Sequence, residues 1–346
     1  MAPITFTPLY MDRVWGGREL ERVYGRHLPD ANTPIGEAWE IVDRDPEQSV
    51  VNSGPYAGKS LHELWTHHRE KIFGEDLPDS ERFPILIKIL DARDDLSIQV
   101  HPPIDKANEL GGEPKTEMWF IANADPDAKL YVGLKNGMTR AAFEAAIASG
   151  TVAEAVHAIV PQAGQSIFIA SGRLHAIGAG LLIHEIQQNS DTTYRVFDWN
   201  RVGLDGKPRT LHVQQSLASI DFRDFEPDMD VPRGEQLAEC PYFRTSRRGL
   251  ADGALLANPD SARFTIVGVG GRRAREFGQP PIREGRLYAP AQGCESSRGR
   301  RRNGGPSDRD ARLKKLASAR SDIRESKSES KLVWVSKIHP QTSVGA

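Results

Sequence analysis

Apolar and polar positions alternate along Leu96-Ser97-Ile98-Gln99-Val100-His101, the pattern of a strand buried on one face. Side chains two apart share a face, so Gln99 and His101 sit side by side with Ile98 and Val100 opposite. Pro102-Pro103 ends the segment, because proline has no amide hydrogen to donate to a ladder. Lys115 to Phe120 repeats the geometry and puts Lys115 and Glu117 on one face. Gln165 to Ile169 and Leu181 to Ile186 read as further strands. Between them Gly172 to Gly180 reads as a tight, glycine-punctuated turn that carries His175. Earlier, Trp15-Gly16-Gly17 and Ile35-Gly36-Glu37 read as turn or bulge positions and Ala38 to Val42 as a strand. Phe83 to Leu90 is a near-continuous apolar run of strand length, interrupted by Lys88. Leu211 to Ile220 reads as a strand or short helix, and Arg263 to Val267 as a last strand.

The period lengthens to that of a helix in two places. Ser60 with Glu63 three residues on is a capping-box pattern, and Leu61, Leu64, Trp65, His68 and Ile72 then fall on one face until Gly74. His62, His67 and His68 do not face one another on such a helix, so they read as surface or helix-face residues rather than ligands. Met138 to Val160 reads as helical, with Thr139 as N-cap. Gly150-Thr151 breaks it, and Thr151 to Glu154 starts a second helix with Val152, Val156 and Ile159 inward. Helices that do not alternate with strands fit a βαβ fold poorly. The expected class is mostly β: a double-sheet jelly roll of the cupin type with a small helical insertion near 138–160.

Composition sets limits. A chain of 346 residues suffices for one large domain or two ordinary ones, and 38% apolar content with scattered glycine and proline suits a loop-rich β protein. No apolar run approaches the length of a membrane span, and the N-terminus lacks the regions of a signal peptide. Cys240 and Cys294 make no disulfide framework. A soluble, cytoplasmic protein without membrane partners is therefore expected. Charge is divided unevenly. Residues 271–346 hold 18 Lys+Arg against 8 Asp+Glu, whereas residues 1–270 hold 27 against 39, a sign change that marks a boundary.

The chemistry collects around the first strand. His101, Glu117 and His175 make a His₂Glu set, the composition of a catalytic zinc site with an open position. Taken in fragments, the same residues also read as a solvated Gln-x-His face and a surface Lys-x-Glu pair. Lys88 is either an edge-strand lysine reaching for solvent or a buried functional cation. Arg195 is either an ion-pair partner of Asp191 or Asp198, or a planar donor held over an anionic substrate. Gly178-Ala179-Gly180 lacks a third glycine and a following helix, so it is no phosphate loop.

Longer motifs carry a resemblance. FPILIKILDARDDLSIQVHP, GGEPKTEMWFIANADPDAKLYVGLKNGMTR and GRLHAIGAGLLIHEIQQNSDTTYRVFDWNR resemble the type I mannose-6-phosphate isomerases, most closely their short bacterial branch. The likeness begins near Thr7 with TPLYMDRVWGGREL, includes IGEAWEIV and runs to about Phe264. It implies one zinc per chain and interconversion of mannose 6-phosphate and fructose 6-phosphate through a cis-enediol. The arginine of SDTTYR, Arg195, is then the active-site arginine, and Lys88 belongs to the sugar-phosphate pocket. Gln99 joins the metal shell, as in the longer eukaryotic members. Lys115 is the expected proton-transfer base, on the premise that burial or a neighbouring cation lowers its pKa toward neutrality. Lys88 and Ser97 are candidates for holding the phosphate.

Departures from the family set the alternatives. The expected layout is a catalytic domain at 1–215, a partial second β-domain at 216–270 and a basic, disordered tail at 271–346. That tail is rich in Arg, Ser and Gly, with a marginal helix at Asp310 to Ala319. The closing LVWVSKIH is a short strand or a sticky remnant. An incomplete second domain motivates the alternative of a non-catalytic or inactivated cupin that binds sugar phosphate or metal. Nucleic-acid binding rests on the tail's charge alone, without the interleaved aromatics that stacking needs. The sequence says nothing about oligomeric state.

Overall fold

The computed structural model describes residues 3–250, 264–270 and 331–338. Its strands are β1 (Phe6–Thr7), β2 (Leu9–Gly17), β3 (Ile35–Ile41), β4 (Val50–Val51), β5 (Ile85–Ala92) and β6 (Ile98–Val100). There follow β7 (Glu117–Ala124), β8 (Leu130–Leu134), β9 (Val156–Ile159), β10 (Ser166–Ile169), β11 (His175–Ile177) and β12 (Leu181–Gln188). The last are β13 (Tyr194–Phe197), β14 (Gln236–Glu239), β15 (Phe243–Leu250), β16 (Ile266–Gly270) and β17 (Lys331–Ile338). A six-stranded sheet, β10-β7-β12-β5-β3-β2, faces a five-stranded one, β13-β6-β11-β8-β9, and every pairing within them is antiparallel. Leu90, Trp119, Ile121 and Ile183 of the first sheet pack with Leu130, Val132 and Ile177 of the second. This is the mostly β, cupin-type double sheet that the pattern predicts.

Strand β5 explains the apolar run around Lys88. It lies between β12 and β3, so both edges are paired, and it is packed on both faces, so both alternate sets are mostly apolar. Ile85 and Ile87 pack outward against Leu61, Leu64 and Trp65 of the helix Leu61–His67. Leu90 packs inward, and Lys88 shares that inward face. Behind β6, Ile98 and Val100 pack on Phe143 and Leu217, from the helices Arg140–Ser149 and Val213–Ser219. The two helical segments thus brace the outside of the five-stranded sheet.

Several local expectations change. Ser60 and Glu63 do form the capping box, but the helix breaks at His68 and restarts as Arg69–Phe73. The second half of the helical insertion is a single turn, Val152–Ala155, after which Val156–Ile159 is β9, paired with β8. Its β-branched residues gain more from the sheet than from a helix face. Leu211 to Ile220 resolves as the helix Val213–Ser219. Gly16 and Gly36 lie inside paired strands, where a Cβ on Gly16 would meet the Gly36 backbone nitrogen at 2.3 Å; close approach, rather than a turn, requires glycine. His175 opens the short strand β11, opposite Gln99, instead of sitting within a turn.

The C-terminal part differs most from expectation. β14, β15, β17 and β16 form a four-stranded antiparallel sheet in that order. Leu332 to Ile338 of that closing segment is therefore strand, not remnant, and Lys331–Ile338 is removed from the expected disordered tail. Alternating Leu332, Val333, Trp334 and Val335 can pair on both edges, which a Ser/Arg/Gly-rich segment cannot. Phe264 seats its ring on Phe73 and Phe83, at centroid distances of 5.0 and 5.7 Å, and Ile338 joins the same core. The expected disorder of 271–330 and the helix at Asp310 to Ala319 lie outside the described residues. Among the described residues no helix is long and apolar enough to cross a membrane.

Candidate active site

The inward face of the six-stranded sheet changes character along its length. One row across β5, β12 and β7 is Leu90, Ile183 and Ile121, all apolar. The next inward row is Lys88, Glu185 and Trp119, and the one after is Leu86, Gln187 and Glu117. Opposite these polar rows, β6 and the residues beside it present Ser97, Gln99 and His101. The gap is a cleft of about 400 Å³ lined by Lys88, Lys115, Glu185, Gln99, His175 and Arg195 among others.

At its base three expected ligands converge. His101 Nε2 is 3.6 Å from Glu117 Oε2, and His175 Nε2 is 3.7 Å from Glu117 Oε1. The ligating atoms all lie within 4.8 Å of one another, and all three residues are buried. Each imidazole is oriented from behind. His101 Nδ1 donates to Thr192 O at 2.8 Å and His175 Nδ1 to Arg173 O at 2.9 Å. Both Nε2 lone pairs are thereby turned toward the common point. Burial holds both rings below the usual histidine pKa, His175 down to about 3, so they are neutral and able to ligate. Glu117 is ionised: burial opposes the charge, but Lys115 and the imidazoles hold the carboxyl well below its ordinary range.

The donor set fits a metal. His101 Nε2 and Glu117 Oε1 are buried acceptors without hydrogen-bond partners, which a fold tolerates poorly unless something else meets them. Two neutral imidazoles and a carboxylate are ligands for zinc. Gln99 stands beside them, with Nε2 3.3 Å from His175 Nε2 and its oxygen accepting from Ser97 Oγ at 3.2 Å. Half a turn of the amide aims Oε1 at the same point.

Around this centre lie the cations. Lys115 Nζ is 2.9 Å from Glu117 Oε2 and 3.7 Å from Glu185 Oε1. Lys88 is 4% exposed, 3.7 Å from Glu185 Oε1 and 4.8 Å over the Trp39 ring, so it is a buried cation and not a solvent-seeking edge lysine. Arg195 donates from Nε to Ser97 Oγ at 3.2 Å and from Nη1 to Thr210 O at 3.0 Å. Asp198 is taken by Arg201 and Arg209, at 3.0 and 2.5 Å, and Asp191 makes no ion pair with Arg195. Among the described residues no carboxylate pairs with the Arg195 guanidinium. The premise about Lys115 is corrected: although burial disfavours its charge, Glu117 and Glu185 raise its pKa above the ordinary lysine value.

Two carboxylates escaped the sequence reading. Glu185 Oε2 accepts from Trp119 Nε1 at 3.0 Å, while Oε1 has no hydrogen-bond partner; burial and then Glu117 raise its pKa. Glu37 Oε2 accepts from Trp39 Nε1 at 2.6 Å and pairs with Arg13 at 3.1 Å. Both sit in strands buried along nearly their whole length, LLIHEIQQ and IGEAWEI, and a carboxylate among the large apolar residues there was the available signal.

Comparison with known proteins shows the family. The family model described as phosphomannose isomerase type I, catalytic domain, matches residues 4–130. The mannose-6-phosphate isomerase ManA of Bacillus subtilis is 39% identical over 264 residues, which are 73% of this chain and 81% of that protein. The chain belongs to the type I mannose-6-phosphate isomerase family. It is a mannose-6-phosphate isomerase. A mannose-6-phosphate isomerase of Streptococcus mutans is 41% identical over 206 residues, 59% of this chain and 63% of that one. In structure, the crystallised Bacillus subtilis isomerase covers 98% of this chain and 100% of its own at 27% identity, with a TM-score of 0.72. A mannose 6-phosphate isomerase described as bound with zinc and yttrium shares the fold at 15% identity, with a TM-score of 0.63.

Proposed function

We propose that the isomerase interconverts mannose 6-phosphate and fructose 6-phosphate through a cis-enediol at this cleft. In this reading zinc is held by His101, Glu117 and His175, with Gln99 as the fourth protein ligand. The observation that carries it is the convergence of partnerless buried acceptors, His101 Nε2 and Glu117 Oε1, with the His175 ring beside buried cations. A bound zinc would polarise the sugar oxygens on C1 and C2. A solved isomerase of this fold is described as bound with zinc and yttrium, which supports the choice of metal.

The residues divide the remaining work. The reaction removes the proton on C2, forms the enediol and returns a proton to C1, while a hydroxyl proton moves from O2 to O1. Glu185 Oε1 lines the cleft without a hydrogen-bond partner, so it is placed to take and return the carbon-bound proton. Lys115, expected as the base, is instead a donor: its ammonium is 3.7 Å from that oxygen and serves the oxygen-bound proton. Arg195 supports negative charge on the enediolate with planar donors. Lys88 and Ser97 hold the phosphate end. The alternative of a non-catalytic sugar-phosphate cupin loses its motive, since β17 adds a strand to the C-terminal four-stranded sheet.

The test is a coupled isomerase assay with metal analysis on purified protein. The expected result is one zinc per chain, loss of activity on chelation, and loss of zinc in a His101→Ala, His175→Ala double variant. Full zinc occupancy in that variant, or unchanged turnover after complete zinc removal, overturns the reading.

A further inference from the structure

β13 is the edge strand of the five-stranded sheet, and Arg195 lies on it opposite Gln99. An edge residue that turns its backbone groups outward lacks a neighbouring strand to meet them. Here one residue supplies both partners. His212 N donates to Arg195 O at 2.7 Å, and Arg195 N donates to His212 Nδ1 at 3.3 Å. Two residues earlier, Thr210 O accepts from Arg195 Nη1 at 3.0 Å. The segment from Thr210 to His212 therefore grips Arg195 by its backbone and its guanidinium together. The His212 ring lines the cleft and tilts against Tyr194, at a centroid distance of 6.0 Å. His212 precedes the helix Val213–Ser219, but its side chain makes no capping bond there, so helix capping does not account for it.

We infer that His212 is a positioning residue for Arg195, closing the sheet edge through a neutral imidazole whose Nδ1 accepts the Arg195 amide. The inference rests on the proposed role of Arg195 in turnover. A protonated ring has two donors and no acceptor, and would set N–H against N–H. The surroundings oppose that state. Arg195 on β13 and Arg209 on the following loop face the cleft with His212, while Arg201 and Arg209 share Asp198 behind them. On the helix side Lys106 and Arg140 donate to Ala218 O and Leu217 O. No carboxylate among the described residues pairs with His212. Burial and then Arg195 hold its pKa below the histidine range.

The experiment compares kcat and KM from about pH 5 to about pH 9 for wild type, His212→Ala, His212→Asn and His212→Gln, with Arg195→Ala as reference. His212→Ala should lose about tenfold in kcat with KM changed less than about threefold, because the substrate contact is displaced rather than deleted. Asparagine places Oδ1 near the position of Nδ1, so His212→Asn should recover most of kcat and lose the acid-side fall due to the imidazole. Glutamine places its oxygen near Nε2 and should not. Recovery by glutamine but not asparagine means that the ring touches substrate, and overturns the inference. So does wild-type kcat in His212→Ala while Arg195→Ala is inactive. Full turnover in Arg195→Ala instead removes the role of Arg195 itself. Should the alanine variant misfold by circular dichroism, the asparagine–glutamine comparison still decides.

Discussion

Lys115→Met tests whether a metal and a lysine share responsibility for one buried carboxylate. Lys115 is 4% exposed and lies 2.9 Å from Glu117 Oε2 and 3.7 Å from Glu185 Oε1. Methionine fills much of the same volume without charge, so the loss is electrostatic. Removing one partner of a buried pair costs about 3–5 kcal/mol. At roughly 2–4 °C per kcal/mol for a domain of this size, the metal-free variant should melt about 6–20 °C below the metal-free wild type. Zinc on His101, Glu117 and His175 would meet the Glu117 charge, and Glu185 keeps Lys88 at 3.7 Å. The zinc-loaded variant should therefore lose no more than about half as much, although turnover falls about a hundredfold with the proton donor gone. Scanning calorimetry with chelator and with zinc, beside the coupled assay, gives all four values. Equal losses in the two states would refute the idea that the metal and Lys115 compensate the same carboxylate.

Arg195→Lys keeps the charge and loses the planar fork, so kcat should fall about a hundredfold with KM changed less than about threefold; a loss confined to KM would assign Arg195 to ground-state binding. Asp91 is fully buried, has an unpartnered Oδ1, and is raised by burial from 3.8 to about 6. The folded state binds that proton more tightly than the unfolded chain, so stability is full below about pH 4 and falls by about 3 kcal/mol as pH rises through about 6. Asp91→Asn should accordingly raise the melting temperature at neutral pH and leave it unchanged near pH 4; an equal shift at both would deny the titration. A chain ending at residue 330 lacks β17, which joins β15 to β16, and should melt lower and aggregate more; an unchanged melting curve would show that the strand adds nothing.

The parts of the site legible in the sequence were those whose local pattern already implied a face. Alternation placed Gln99 with His101 and Lys115 with Glu117, and the structure keeps both pairs on the cleft side. His175 was legible as chemistry but not as a strand, because β11 is short and glycines surround it. Glu185 and Glu37 were missed for the opposite reason. Each lies in a run whose neighbours mix polar and apolar residues without marking a face, and only the pairing of β12 with β5 and of β2 with β3 shows that their carboxylates reach Lys88 or Arg13. β17 was unreadable as part of a sheet because its partners, β15 and β16, are separated from it by a long polar stretch in the chain. Non-local pairing of that kind leaves no trace in periodicity.

The register across β5, β12 and β7 explains why one surface can be core at one end and chemistry at the other. Ile183 meets Leu90 and Ile121, while two residues on Glu185 meets Lys88 and Trp119. A slip of one residue would turn Glu185 out of the cleft, and a slip of two would set its carboxylate against Leu90. The apolar row therefore guards the alignment of the polar one: the misregistered sheet buries a charge without a partner while exposing isoleucine to the cleft. The bulge between Leu182 and Ile183 lies on the apolar side of this step. The irregularity is thus absorbed before the rows that bear the carboxylates and lysines, and the spacing of Glu185 from Lys88 and Lys115 follows from an unbroken ladder.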